Sequence, residues 1–193
     1  MDIPKLHNRY FLMRHGTAQS NVEHRYSTNP EKGPNQHPLV PEGRELVLDS
    51  IKKAAPQGLN KQTIMYASPF LRTKQTAEIV QDFLQCPPIT FDMRLRERYC
   101  GDFDNSVYEY PLPHRLADDK IDSDYHHVEN LQHIWERMYG VIQDIEKKYH
   151  DQTILIVSHG DPLECLYCGL QGADLLRFHN DFPNFQRGEI RPV

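Results

Sequence analysis

No stretch of this chain is apolar for the ~20 residues needed to span a bilayer, so no membrane segment is expected. The start, MDIPKLHNRYFLMRHG, lacks a basic stretch followed by an apolar core, so no signal peptide is read there. Cationic excess is missing too. Lys and Arg number 22 against 27 Asp and Glu, a net charge of −5. General attraction to nucleic acid or an anionic membrane is therefore excluded, and an anionic ligand must be held by a local cluster of cations. Cysteine is scarce: Cys86, Cys100, Cys165 and Cys168 are too few and too scattered for a disulfide scaffold. They read as free thiols in a reducing cytoplasm, and the expected location is cytoplasmic. Cys165 and Cys168, without a second such pair, read as core thiols and not as a metal site. Internal repeats and low-complexity tracts are absent as well.

What is present is an alternation of two patterns. Three short apolar runs, Tyr10–Met13, Thr63–Ala67 and Thr153–Val157, read as buried parallel strands. Three longer segments carry apolar residues at helical spacing: Pro41–Ala55, Pro69–Gln85 (with Ser68 as its cap) and Asn130–Tyr149. This predicts one domain over 1–193, an α/β fold in which a three-layer α/β/α sandwich surrounds a mostly parallel sheet. Polar, aperiodic stretches at about 23–38 and 100–128 read as irregular loops over the active site, and the tail after Arg187 as a short edge strand.

Each strand runs into polar residues: Arg14-His15-Gly16, Ser68 to Thr73 with Arg72, and Ser158-His159-Gly160. The carboxyl ends of parallel strands share one sheet edge, where ligands bind, so two histidines and two arginines are expected in one crevice. Arginine forks match phosphate oxygens, and helix amino termini add N–H donors. Histidine is a competent nucleophile towards phosphorus, a second histidine can donate to phosphoryl oxygens, and Asn21 adds a neutral donor. No Asp/His cluster shows metal-ligand spacing, so neither metal nor cofactor is expected.

These motifs resemble the histidine phosphatase superfamily, in particular its phosphoglycerate-mutase-like branch. The resemblance rests on R-H-G with Asn21, on S-P-x-x-R-T-x-Q-T-A from Ser68 to Ala77, on Leu95-x-Glu97-x-x-x-Gly101, and on S-H-G from Ser158 to Gly160. It implies a phosphoglycerate-mutase-like fold and a metal-independent phosphatase with His15 as nucleophile. It also implies that Arg14, Arg72 and His159 bind the transferred phosphoryl group, with Asn21 and Gly160 beside them, and that Glu97 is the proton donor. A carboxylic acid is chemically apt, because cleavage of a phosphate monoester expels a poor leaving group that must be protonated. Asp161 is the second-ranked acid, and Asp102 and Asp104 read as solvated loop. His114, His126 and His127 read as loop residues, and Glu129 as a charge favouring the start of the following helix. One departure is Leu39-Val40-Pro41-Glu42-Gly43, which lacks the family's threonine.

Substrate choice is read from the 100–128 segment. Arg115 and Lys120 stand there against Asp102, Asp104, Glu109, Asp118, Asp119, Asp122 and Asp124. An acidic lid of that kind would repel a doubly anionic substrate, with Arg94, Arg96 and Arg98 as a partial counterweight. Hydrolysis of a small phosphorylated metabolite is thus favoured over a 2,3-bisphosphoglycerate-dependent phosphoglycerate mutase. A phosphoprotein phosphatase or phosphoprotein-binding signalling member is the further alternative.

Overall fold

The strand runs pair into one five-stranded sheet in the order β3-β2-β4-β1-β5. The computed structural model describes residues 5–108 and 112–193. The strands are β1 (Arg9–Arg14), β2 (Ile64–Ala67), β3 (Thr90–Phe91), β4 (Thr153–Ser158) and β5 (Ile190–Pro192). All pairings are parallel except that of β5 with β1. The tail is the expected edge strand. β3 was not foreseen, since two residues carry no readable periodicity.

Alternation along the strands feeds two separate cores. Tyr10, Leu12, Ile154 and Ile156 pack with helices α4 (Leu131–Lys148) and α5 (Gly160–Leu170). Phe11, Met13, Leu155 and Val157 face the other way, onto α2 (Pro41–Ala54) and α3 (Leu71–Leu84). Burial on both faces is why the strands read as unbroken apolar runs. The short helices are α1 (Gln19–Val22) and α6 (Phe178–Asp181), the latter packing Phe178 into the first core. Among the described residues, no helix is long and apolar enough to cross a membrane.

Two helix boundaries differ from the sequence reading. α3 starts at Leu71, because Pro69 and Phe70 stay outside it and Phe70 is extended at the N-cap; Ser68 is therefore not a helix cap. α4 starts at Leu131, with the Asn130 side chain accepting from the His133 N–H. The missing threonine near α2 matters little, because the contact there is made by backbone. A Cβ at Gly43 would collide with the Thr17 carbonyl, and one at Gly16 would sit 2.5 Å from the Gly43 carbonyl oxygen. Only glycine lets α2 approach the turn after β1 so closely.

The loops are irregular, with short 3-10 segments at Gly33–Asn35, Gly101–Phe103, Pro113–Asp119 and Tyr125–His127. They are also sewn together. Arg25 bridges Val107, and Asp104 accepts from the Thr28 hydroxyl and from the N–H groups of Thr28 and Asn29. Asp104 is thus a structural clamp and not a solvated acid. Cys165 and Cys168 are free and buried in α5, as core thiols.

Candidate active site

Register brings the two histidines together. Arg14 pairs with Ser158 across β1 and β4, so the next residues, His15 and His159, leave the sheet edge side by side, ring centroids 5.2 Å apart. Both rings are buried. His15 Nδ1 donates to the Gly16 carbonyl at 2.7 Å, which leaves Nε2 without a proton, and Arg72 Nε donates to that Nε2 at 3.1 Å. Burial, with the charges of Arg72 and Arg14, holds the His15 pKa well below the ordinary histidine value. The ring is a neutral imidazole with its lone pair on Nε2.

His159 Nε2 meets the Ser68 hydroxyl at 2.9 Å, and its Nδ1 is buried without a hydrogen-bond partner. With Ser68 donating, the proton of this ring sits on Nδ1, free for a bound anion. Burial first, then the charge of Arg72, lowers its pKa well below normal. Ser68, expected to cap a helix, instead orients His159.

Arg72 is buried and its Nη2 donates to the Ser27 carbonyl at 3.0 Å. Arg14 Nη1 donates to the Phe185 carbonyl at 2.6 Å, while its Nε is buried and unpartnered. A Cβ at Gly160 would come within 3.2 Å of the Arg14 guanidinium, which gives this glycine a steric purpose. Asn21 Oδ1 accepts from the Ala18 N–H, leaving its amide nitrogen for the cavity it lines.

Glu97 Oε2 lies 3.5 Å from both Arg72 Nη2 and His159 Nδ1. Burial is the main force raising its pKa, reinforced by Asp161 and opposed by Arg72 and Arg14. A network absent from the sequence reading sets its position. Glu129 is buried and pairs with Arg137 at 2.8 Å and with Arg96 at 2.7 Å. Arg137 in turn donates to the Arg96 and Glu97 carbonyls. Glu129 thus acts by pairing with these arginines and not through the helix dipole.

Asp161 is the opposite case. Burial works against its charge, but its bond to His114 and the charges of His114, His179 and Arg98 hold its pKa well below the carboxylate range. Arg98 Nη1 lies 3.3 Å from it and His114 Nε2 3.5 Å. An acid so firmly ionised has no proton to give. His114, read as a loop residue, is in fact buried between Asp161 and the Tyr26 hydroxyl and lines the cavity. His126 and His127 are exposed and face Asp102, as loop residues should.

The cavity over His15 measures about 270 Å³ and is walled by both loops, through Tyr26, Ser27, Thr28, Tyr108 and Leu112 to Arg115. Here the expected acidic lid is corrected. Asp104 is turned to Thr28, Asp118 to Arg98 and His179, and Asp102 to His127. Asp119, Asp122, Asp124 and Lys120 line a separate surface depression. Glu109 lies outside the described residues. Among those described, the cavity is lined from the lid by the Arg115 guanidinium and the His114 imidazole, and by no lid carboxylate. The counterweight is corrected as well. Arg94 pairs with Asp92 and Asp144, Arg96 with Glu129, and Arg98 with Asp118 and Asp161.

Arg187 was missed as a site residue. It lines the cavity and its charge helps lower the His15 pKa. The signal was available: an edge strand antiparallel to β1 begins beside the end of β1, so the residues before it fall at the crevice.

His15, Glu97 and His159 also present one ligand atom each within 4.8 Å, a cluster that spacing along the chain could not reveal. The positive charges of Arg14 and Arg72 beside these atoms oppose a dication there. The donor set suits an anion.

Comparison with known proteins agrees with this geometry. The family model described as histidine phosphatase superfamily (branch 1) matches residues 10–187. A Salmonella arizonae protein named "Probable phosphoglycerate mutase GpmB" is 29% identical over 168 residues, covering 84% of this chain and 74% of its own. "Phosphoserine phosphatase 1" of Hydrogenobacter thermophilus is 25% identical over 190 residues, covering 88% and 79%. Among solved structures, a mycobacterial glucosyl-3-phosphoglycerate phosphatase in complex with VO3 superposes with a TM-score of 0.80 at 16% identity, covering 95% of this chain and 91% of that one. The alpha-ribazole phosphatase of Shigella flexneri gives 0.73 at 23% identity, covering 95% and 89%. At these identities the structural matches speak for the fold alone.

Proposed function

This chain belongs to the histidine phosphatase superfamily, branch 1, and from that premise we propose that it hydrolyses small phosphate monoesters through a covalent phosphohistidine on His15. The observation that carries the reading is the state of His15, a neutral ring with Nδ1 donating to Gly16 and Nε2 unprotonated beside Arg72 at the cavity floor. Nε2 attacks phosphorus while the ester P–O bond breaks and Glu97 protonates the departing oxygen. Arg14, Arg72 and the His159 Nδ1–H hold the three phosphoryl oxygens as charge redistributes. Glu97, now ionised, takes a proton from water, whose oxygen attacks phosphorus. The P–N bond then breaks, its electron pair returns to Nε2, and phosphate leaves.

The cavity's size and its two loop walls favour a small metabolite over a phosphoprotein. A relative named for phosphoserine supports the same substrate class. Protein quenched during turnover of a labelled ester should carry label that is acid-labile and base-stable. The His15→Ala variant should fold, by circular dichroism, but neither label nor turn over an aryl phosphate. Normal turnover in that variant, or acid-stable label, would refute the assignment. Net conversion of a phosphorylated hydroxy acid into its positional isomer, through phosphoryl exchange with the enzyme and without release of inorganic phosphate, would identify a mutase instead.

A further inference from the structure

The lid segment Pro113–Asp119 is fastened at two points. Near its start, the buried His114 sits between the Tyr26 hydroxyl, 2.9 Å away, and Asp161. Near its end, Asp118 accepts from Arg98 Nη2 at 2.6 Å and faces His179 Nε2 at 3.2 Å. Arg98 is shared with Asp161 and so gives Asp118 only part of its charge. His179, on α6, supplies the rest. Its side chain is 14% exposed, and its other nitrogen, Nδ1, lies 3.4 Å from Glu164 Oε2 on α5. Both nitrogens thus face carboxylates, an arrangement that only the imidazolium serves as a double donor. Burial and the charge of Arg115 oppose that form, while Asp118, Glu164 and Asp161 favour it.

The phosphoryl chemistry uses none of these groups. Arg14, His15, Arg72 and His159 are held by Phe185, Gly16, Ser27 and Ser68, all outside the lid segment. Between its two fastenings the lid places His114 and Arg115 along the cavity. Removing one partner of a buried charge pair leaves the other uncompensated, so freeing Asp118 from His179 favours states in which the lid lifts into water. We propose that His179 is a positioning residue: by holding Asp118 it keeps the lid closed over the part of the ester that departs, without touching the phosphoryl group. This rests on the phosphatase reading in taking the cavity as the ester's site. An ester extends from the cavity floor towards the lid, whereas inorganic phosphate needs only the floor.

Binding of the two should therefore respond differently when the lid is freed. Calorimetry in the His15→Ala background, with 4-nitrophenyl phosphate and inorganic phosphate as probes, measures this. His179→Gln should weaken the ester about tenfold, because affinity falls with the fraction of closed lid, and leave phosphate within about twofold. Asp118→Asn should weaken the ester at least as much, and adding His179→Gln to it should cost nothing further, since both cut one contact. Hydrogen exchange should quicken across the lid in His179→Gln and stay unchanged in β1 and β4. Unaltered ester binding or lid exchange, an equal loss of phosphate, or losses that multiply in the pair would overturn the proposal. If His179→Gln does not fold, Asp118→Asn decides by the same comparison of ester with phosphate. Absence of turnover by the wild-type protein would fail the phosphatase reading and leave these binding ratios to judge the lid separately.

Discussion

Glu97 and Asp161 sit close enough to influence each other's charge, yet their surroundings push them apart. Glu97 is raised by burial, whereas Asp161 is kept ionised by His114 and Arg98. The first is pushed towards its protonated form and the second away from it, and a proton donor matters in proportion to the basicity of what leaves. Glu97→Gln is therefore expected to slow hydrolysis of alkyl phosphates by ~10²–10⁴-fold, the usual contribution of general acid catalysis. Its effect on phosphorylation of His15 by an aryl phosphate should be much smaller. In single-turnover measurements Asp161→Asn should show no such dependence on the leaving group. Exchange of these behaviours between the two variants would make Asp161 the acid.

At the scale of elements, the segment carrying Glu97 is neither strand nor helix, so its placement depends on the buried Glu129 with Arg96 and Arg137. Removing one partner of a buried charge pair leaves the other uncompensated, which typically costs about 3–5 kcal/mol. Glu129→Ala should lose stability of that order in denaturant unfolding and also lower kcat for alkyl esters. Equal stability in variant and wild type would show the network to be dispensable. This is also where sequence reading ran out. The strand ends carrying Arg14, His15 and His159 were legible because apolar runs and a parallel sheet dictate where they go. The Glu129 network was not, because Arg94, Arg96 and Arg98 look alike in a row of letters, and only tertiary contacts decide which charge each one meets. The lid misled for the same reason: its acids were countable, but the directions they face were not.

For the whole molecule, the buried titratable groups set how stability depends on pH. His15 and His159 have folded pKa values below the unfolded value of about 6.5, so the unfolded chain binds more protons as pH falls. Their contribution is present above the unfolded value and is lost as pH drops below it. Asp118, Asp161 and Glu129, also lowered, add to the loss further down. His179, raised, works the other way: its contribution is present below 6.5 and fades as pH climbs through its folded value. His37 is lowered as well and the exposed His127 raised, so three histidines stand against two. Because His15 and His159 are the ones held furthest from the ordinary value, the denaturation midpoint should fall between pH 7 and pH 5, more gently in His15→Asn. A midpoint that rises over that interval would contradict this reading.

The two-sided strands have an evolutionary corollary. Odd and even residues of β1 belong to different cores, so inserting or deleting a single residue between Tyr10 and Met13 would exchange those cores. The same frameshift in space would turn Arg14 and His15 to opposite sides of the crevice. Lineages descending from this architecture are thus free to lengthen, shorten and rewrite the lid, and with it the choice of ester. The spacing from β1 to His15 admits no such drift. Divergence should accumulate as loop indels around strands of invariant length.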